Sequence, residues 1–367
     1  MKRLLCIVGS MNPGGAETFL MKIYRSLDRS KYQMDFCVSI DKPGAYDQEI
    51  EALGGKIFHT TPKSSGMIKS FKSIVKIVSD NNYEYVLRVS QHSLSGLELL
   101  AAKLGGAKRV AFRSSNTQTG GGKVNRILHK LFLPITIFVP DVKIAPSTEA
   151  AQFMFGKSSV RKGNAMILPN GLDTDLYSFD YHAREFYRKE LNIEDKFVIG
   201  HIGRFSKQKN HIKLLEILKK ILELNNKAIL VLVGQGELED LIKSTAIEMG
   251  LDDSVRFLGV RSDVPKLLSA FDVFLFPSLF EGMPNTVLEA QTNGLPCVIS
   301  NTITQEVKVT SRVVMVPLSA SADSWANSVL ETAKMNIDRQ SASKEMFQKG
   351  YDISNNTKLF EQLIFGV

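Results

Sequence analysis

Short apolar runs of strand length alternate with amphipathic runs of helix length along this chain, and after residue 196 the alternation begins afresh. In the first half the expected strands are Leu4–Val8, Gln33–Val38, Lys56–Phe58, Tyr85–Arg88, Arg109–Phe112, Val142–Ala145 and Ala165–Leu168. Helical stretches include Glu17–Leu27, Gly66–Ser79, Leu94–Leu104 and Lys123–Leu133. In the second half, strands are expected at Phe197–Ile202, Ala228–Val233, Val255–Leu258, Val273–Phe276 and Pro296–Ile299, with helices at Asn210–Leu224, Glu237–Met249 and Thr286–Gln291. Strand–helix alternation dictates parallel sheets with right-handed crossovers. The reading is therefore α/β: two Rossmann-like, doubly wound domains facing across a cleft, at residues 1–180 and 181–345. Residues 346–367 form a C-terminal helix expected to pack back on the N-terminal domain. The break falls at Pro169-Asn170-Gly171, followed by a polar connecting segment that is charged near Tyr181–Glu190. Ligands of open parallel sheets bind beyond the carboxyl ends of the strands, so the loops after strands are where chemistry is sought.

A length of 367 residues suits two such domains. With 44% apolar and 23% charged residues, whole-chain disorder is excluded. The three cysteines (Cys6, Cys37, Cys297) sit in apolar runs, which reads as buried thiols in a reducing compartment rather than a disulfide scaffold. Met1–Val8 is too short for a signal segment, and the longest apolar run, Leu131–Val139, contains Pro134 and falls far short of the roughly 20 residues that span a bilayer.

Charge is lopsided. Residues 1–182 hold 24 Lys+Arg against 15 Asp+Glu, or +9, and the remainder 22 against 23, or −1. An excess confined to one half points to an anionic partner. Two stretches concentrate it: Lys63, Lys69, Lys72 and Lys76 among Met67, Ile68, Phe71, Ile74 and Val75, and Lys123, Arg126 and Lys130 among Val124, Ile127, Leu128, Leu131 and Phe132. Helices with one basic and one apolar face can lie on anionic bilayers; ordinary surface helices have the same pattern when the apolar face enters the core.

Two motifs mislead. Gly234-Gln235-Gly236 follows a strand, but the third glycine of a dinucleotide fingerprint is replaced by Glu239. Asp173 and Asp175 resemble a metal-binding pair, yet sit in a connecting segment rather than at the end of a buried strand. No zinc spacing or Walker loop is present, and no metal or other cofactor is expected.

Three segments carry chemistry. Gly14 and Gly15 strip side chains from a helix start after the first strand, where backbone amides and the helix dipole favour a phosphate. Arg204 and Lys209 straddle the turn after the first strand of the second half, two cations suited to a diphosphate. In Pro277–Ala290, Glu281 and Glu289 are separated by seven residues, with the amides of Met283, Pro284, Asn285, Thr286 and Val287 spanning a helix N-terminus between them, proline lacking an N–H. Two hydroxyl-accepting carboxylates around an anion-binding helix start suit a sugar, a diphosphate and a ribose in sequence.

Together these segments resemble the retaining glycosyltransferases of family 4, which have the GT-B fold, most closely those of bacterial capsule and exopolysaccharide synthesis. Gly14-Gly15-Ala16-Glu17 is similar to that family's glycine loop, Leu168–Asp173 to its interdomain segment, Gly203–Lys209 to its diphosphate-binding Arg and Lys, Val233–Gly236 to its nucleoside loop, and Gly294-Leu295-Pro296 with Ser300–Glu306 extends the match. The resemblance implies that Glu281 binds donor-sugar hydroxyls, Glu289 the ribose, and Arg204 and Lys209 the diphosphate as it departs. Relatives often place a His after the strand that here ends at Phe112; this chain reads Arg113-Ser114-Ser115-Asn116. Arg113, Ser115, Asn116 and the nearby His92 are secondary candidates for donor or acceptor contact, none assigned as a base, since front-face attack lets the leaving phosphate take the acceptor proton.

The expected reaction is transfer of a hexose or N-acetylhexosamine from a nucleotide sugar, UDP-linked on family grounds, to a polyprenyl-diphosphate-linked or oligosaccharide acceptor held by the basic N-terminal half, in a cytoplasmic protein peripheral on the inner face of the membrane. A nucleotide-sugar epimerase of the same fold and a non-catalytic sugar-binding protein stay open. Nucleic acid is disfavoured: the charge is interleaved with aliphatic residues, and a single tryptophan, Trp325, offers no stacking platform.

Overall fold

The computed structural model describes residues 1–40, 42–62, 65–115, 122–335 and 338–366. They form two compact units: Met1–Gly171 with Ile353–Val367, and Leu172–Asp352.

The first unit is built on seven parallel strands: β1 (Lys2–Ile7), β2 (Tyr32–Val38), β3 (Ile57–His59), β4 (Tyr85–Ser90), β5 (Arg109–Ser114), β6 (Val142–Ala145) and β7 (Met166–Ile167). Their order is β3-β2-β1-β4-β5-β6-β7. The second has six: β8 (Phe197–Ile202), β9 (Ala228–Val233), β10 (Val255–Phe257), β11 (Val273–Phe276), β12 (Cys297–Ser300) and β13 (Val313–Val316), ordered β10-β9-β8-β11-β12-β13. In both, sequence order reverses beside the first strand, which is the doubly wound arrangement. Strand β9, Ala-Ile-Leu-Val-Leu-Val, is buried at every position, as a parallel strand covered on both faces must be. The helix His211–Leu224 supplies part of that cover through Leu214, Leu215, Leu218 and Ile221, which recur at helical spacing.

Tyr181–Glu190 is a helix, not a polar connector. Asp180 caps it by accepting from the amides of His182 (2.9 Å) and Ala183 (3.1 Å); of its apolar residues only Ala183 and Tyr187 are buried, while Arg184 and Arg188 reach inward to Asp272, so its sequence looks like a solvated segment. The units divide at Gly171/Leu172, at the Pro169-Asn170-Gly171 break, and residues 172–180, expected with the first domain, belong to the second, because Leu172 lies in its core and Thr174 Oγ1 donates to Asp352 there (2.8 Å). Residues 346–352 also belong to the second unit, with Met346 in its core. The helix Ile353–Phe365 belongs to the first: Phe360 meets Phe19 edge-on, and Phe365 stacks on Tyr32 with ring centres 4.3 Å apart.

The helix Lys123–Phe138 runs past Leu133 and through Pro134. Its buried side carries His129 and Thr136, whereas Val124, Ile127, Leu131 and Phe138 are exposed, Phe138 at 81%. At 100° per residue these four fall on one stripe, with Lys123, Arg126 and Lys130 along its edge. An apolar stripe therefore faces outward, while Leu128, Phe132, Leu133 and Ile135 of the same helix are half-buried.

Gly200, mid-strand in β8, leaves room for a ring: a Cβ there would lie 2.0 Å from Phe271 Cδ2. Gly200→Ala is expected to cost roughly 1–3 kcal/mol by overpacking, read as a lower urea midpoint with an unchanged m-value.

Candidate active site

In the second unit β8 and β11 lie side by side, and the chain leaves them in opposite directions, β8 toward β9 and β11 toward β12. Ligands of open α/β sheets sit at such a switch point, outside the carboxyl ends of the strands. The two segments that start there are Gly203–Asn210 and Pro277–Pro284, and backbone groups sew them together. The Leu279 amide donates to the Gln208 carbonyl (2.8 Å), Gln208 Nε2 to Phe280 O (2.9 Å), and Asn210 Nδ2 to Pro277 O (3.1 Å). Asn210 takes a left-handed backbone (φ 57°), a conformation asparagine tolerates, and so turns the short 3₁₀ segment Lys207–Lys209 into the following helix. Lys209 Nζ meets Glu281 Oε1 at 2.7 Å and stands 4.6 Å from the centre of the Phe276 ring. Both side chains are largely covered, 16% and 11% exposed. Glu281 is also bridged through its backbone to Ile303.

The glycines of the false fingerprint have a different task. Gly234 has φ +134°, and a Cβ there would lie 2.2 Å from the Gly203 carbonyl oxygen; one on Gly236 would lie 2.5 Å from that of Phe205. The Gly234–Gly236 loop thus presses backbone to backbone on the loop that carries Arg204. Arg204 itself is 73% exposed and turns to Glu237, with Nε and Nη2 at 3.1 and 3.0 Å from Oε2. Such an exposed pair adds little stability and can be exchanged for another anion.

The helix Asn285–Thr292 begins at Pro284 with no side chain capping it, and Thr286 Oγ1 and Ser278 Oγ are buried without a hydrogen-bond partner. Met283 and Val287 turn their side chains into the core, so only their backbone is left for a ligand. Glu289, on the same helix, is buried and hydrogen-bonded to the Tyr177 hydroxyl. Burial, then the Glu289 charge, drives the Tyr177 phenol far above its ordinary pKa, so it remains a donor. Beneath Lys209 lie two imidazoles, His201 and His211, edge to face with centres 4.9 Å apart. His201 Nδ1 donates to Leu275 O (2.9 Å); His201 Nε2 and both nitrogens of His211 have no partner. Burial, and then the neighbouring Lys209 charge, lowers His211 to about 4, and burial holds His201 well below its usual value. Both rings are neutral at pH 7.

The first unit holds the remaining candidates. Gly14, extended at φ −154°, starts the helix Gly15–Ser26, but Glu17 folds its carboxylate back onto its own amide in that first turn, where burial raises its pKa. The helix start expected to receive an anion already carries one. His92 is used structurally: Nδ1 accepts from the Leu94 amide (3.1 Å), and Nε2 donates to Asn125 O (3.0 Å). Ser115 extends the pairing of β5 by donating its amide to Ser90 O. Arg113 is 1% exposed, donates to Asn170 Oδ1 (2.6 Å) and lies 3.6 Å over the Phe19 ring; burial lowers it to about 9, so it stays charged at pH 7. Asn116 and Lys63 lie outside the described residues. Asp173 and Asp175 lie in a turn, where Asp173 Oδ1 accepts from the Leu176 amide, and no cluster of three or more potential metal ligands occurs among the described residues.

The profile of the family described as glycosyl transferases group 1 matches residues 183–349. The putative glycosyltransferase EpsF of Bacillus subtilis is 33% identical over 361 residues, covering 97% of this chain and 94% of the relative. The chain belongs to the group 1 glycosyltransferases. The UDP-Gal:α-D-GlcNAc-diphosphoundecaprenol α-1,3-galactosyltransferase of Escherichia coli is 30% identical over 256 residues, 66% of this chain and 65% of that one. Among solved structures, HepE of Anabaena in complex with UDP superposes with a TM-score of 0.81 at 20% identity, covering all of both chains. The fold is GT-B, and the protein is a glycosyltransferase.

In this glycosyltransferase the geometry brings Lys209 and Glu281 into contact and gives Arg204 and Glu289 partners absent from the sequence reading, Glu237 and Tyr177. Glu237 adjoins Gly236 and was legible as a charge at the mouth of the turn; Tyr177 lies more than a hundred residues from Glu289 and has no local signal. Lys209→Met, which strands Glu281, is expected to cost roughly 1–3 kcal/mol in unfolding. Because His211 titrates lower when folded than when unfolded, the unfolded chain binds more protons between about pH 4 and the ordinary histidine value of 6.5. Stability should therefore fall as the pH drops through that window, and His211→Phe should flatten the slope in urea melts taken from pH 7 to 4.5.

Proposed function

We propose that this glycosyltransferase moves a hexose or N-acetylhexosamine from a UDP-sugar, with retention, to a polyprenyl-diphosphate-linked glycan in bacterial surface-polysaccharide synthesis. The observation that carries the reading is the covered Lys209–Glu281 pair at the switch point, followed directly by an uncapped helix start. A lysine beside bare helix amides attracts a diphosphate, and the carboxylate beside it can accept from sugar hydroxyls once Lys209 turns to phosphate. Arg204, exposed and only loosely held by Glu237, adds a second cation. Glu289, oriented by Tyr177, is the acceptor for ribose hydroxyls. The Gly234 and Gly236 loop, packed on the Arg204 loop, borders the nucleoside.

In the step proposed, the bond from the anomeric carbon to the diphosphate oxygen breaks, and the acceptor oxygen bonds to the same face. The acceptor proton passes to the departing diphosphate. Charge develops on that leaving group, so fixed cations and helix amides aimed at it lower the barrier without a protein base or a metal ion. Support for UDP and a lipid-linked acceptor comes from the Escherichia coli relative, whose name specifies UDP-galactose and a diphosphoundecaprenol acceptor, and from HepE, crystallised with UDP.

Ser115 is the proposed contact to the acceptor in the first unit, and Gly14 and Gly15 are the proposed backbone contacts to a phosphate once Glu17 is displaced; Arg113, 1% exposed, braces Asn170 instead. The outward apolar stripe of Lys123–Phe138, edged by Lys123, Arg126 and Lys130, is the proposed seat on an anionic bilayer, on the inner face of the cell membrane. No helix among the described residues is long and apolar enough to cross a membrane.

Glu281→Ala, Lys209→Ala and Arg204→Ala are each expected to lower sugar transfer by about 10²–10³-fold with the circular dichroism spectrum retained; full activity in all three would overturn the site. Chelator should leave the rate unchanged, and strict metal dependence would count against this mechanism. Flotation with phosphatidylglycerol vesicles should carry the protein up at low salt and release it at high salt, and absence of binding at low salt would remove the membrane seat.

A further inference from the structure

The first unit carries a groove that the reading above does not use. The helix Met67–Asp80 buries Ser70, Ile74 and Val78, one residue per turn, and leaves its flank at Met67, Ile68, Phe71 and Val75 only partly covered. That flank and the Leu94–Leu97 stretch opposite enclose a groove of about 590 Å³, within the roughly 300–1,000 Å³ of small-molecule sites. The walls are aliphatic and aromatic. The one carboxylate that lines the groove, Glu98, is buried against Arg88, so it gives the groove no free negative charge. Lys72 and Lys76 stand one turn apart along one lip, and neither has an ion-pair partner among the described residues. At the end of the groove Ile68 is 74% exposed.

A binder of sugars or bases would need hydrogen-bonding groups on the floor, and this floor offers almost none. Nor does a flat bilayer surface enter a concave slot, whereas a single hydrocarbon chain does. An apolar trough with unpaired cations on one lip matches a chain that ends in a polyanionic head. We propose that the groove holds the prenyl chain of a diphosphate-linked lipid acceptor, with Lys72 and Lys76 against its phosphates; the proposal rests on the lipid-linked acceptor assigned above. The groove adjoins the helix with the outward apolar stripe, since Ser93 Oγ donates to His129 O (2.6 Å) and a Cβ on Gly96 would meet Ile135 Cγ2.

The test uses the full chain and a farnesyl diphosphate with a diazirine at the end of its prenyl chain, photolysed and mapped by peptide mass spectrometry. Label is expected within residues 67–79 and 94–97, displaced by undecaprenyl diphosphate and not by inorganic diphosphate. Val75→Trp, which plugs the groove, should cut labelling at least tenfold. The exposed double variant Lys72→Glu/Lys76→Glu, which leaves the core untouched, should cut it several-fold and keeps the test open if the tryptophan variant misfolds. Label elsewhere, label unaffected by the lysine changes, or equal competition by inorganic diphosphate overturns the groove. Radiolabelled sugar transfer into lipid-extractable product is measured in parallel. Transfer to lipid with an unlabelled groove overturns this proposal alone; transfer solely to water-soluble glycan overturns the acceptor assignment and the groove with it.

Discussion

The ion pair between Lys209 and Glu281 is the contact around which the second unit arranges its chemistry. Two opposite charges about 4 Å apart attract by roughly 4 kcal/mol in surroundings of intermediate polarity, but partial burial takes back much of that through lost hydration. Its value is geometric. The lysine enters from the turn after β8 and the glutamate from the loop after β11, so the pair spans the place where the sheet's winding reverses. The side-chain amides of Gln208 and Asn210, donating to Phe280 O and Pro277 O, and the Leu279 amide, donating to Gln208 O, fix both loops. A cation and a carboxylate held this way are already oriented for a diphosphate and a sugar hydroxyl, and little ordering cost remains when ligand arrives.

That placement depends on backbones approaching more closely than side chains permit. Gly234 and Gly236 let two loops touch with no Cβ between them, and Gly200 admits the Phe271 ring. The layer below is kept uncharged. Two histidines, stacked among Phe205, Phe274 and Phe276, fill the space under Lys209 as neutral aromatic rings. A protonated imidazole there would repel Lys209, and burial prevents it at neutral pH.

Local chemistry made much of this legible. The period of the apolar runs marks the strands, because a parallel strand buried on both faces has to be apolar along its length. Arg204, Lys209, Glu281 and Glu289 stand out because charged groups follow closely on buried strands or enter a helix that is otherwise uncharged. What stayed hidden depends on contacts distant in sequence. Tyr177 meets Glu289 only after folding, and the helix at Tyr181–Glu190 looks like a linker because two of the residues that turn inward, Arg184 and Arg188, are charged and find Asp272 and backbone carbonyls distant in sequence. The break at Pro169-Asn170-Gly171 shows in its turn residues, but that residues 172–180 go with the second unit is set by where Leu172 and Thr174 find partners, which no local composition encodes. The helix at Lys123–Phe138 is a sharper case, since it is apolar on more than one side and its sequence does not say which apolar residues face out.

The distribution of charge in the first unit follows from how its acids are used. Asp35 takes both Arg3 and the Tyr83 hydroxyl, Glu98 takes Arg88, and Glu17 turns back on its own helix. Each of these carboxylates is consumed at the sheet or its edge. The lysines and arginine of the helices Met67–Asp80 and Lys123–Phe138 lack such partners among the described residues, so six of the cations behind the +9 of residues 1–182 appear outside, on two helices. A field spread over exposed helix faces is screened within a Debye length of about 8 Å at physiological salt. It therefore acts on a surface or a headgroup brought almost into contact and hardly at all on a ligand seated beyond the strand ends. Exposed Val124, Ile127, Leu131 and Ile68 lie among these same cations, so the charge draws an anionic, apolar-bodied partner in and the uncovered hydrocarbon retains it.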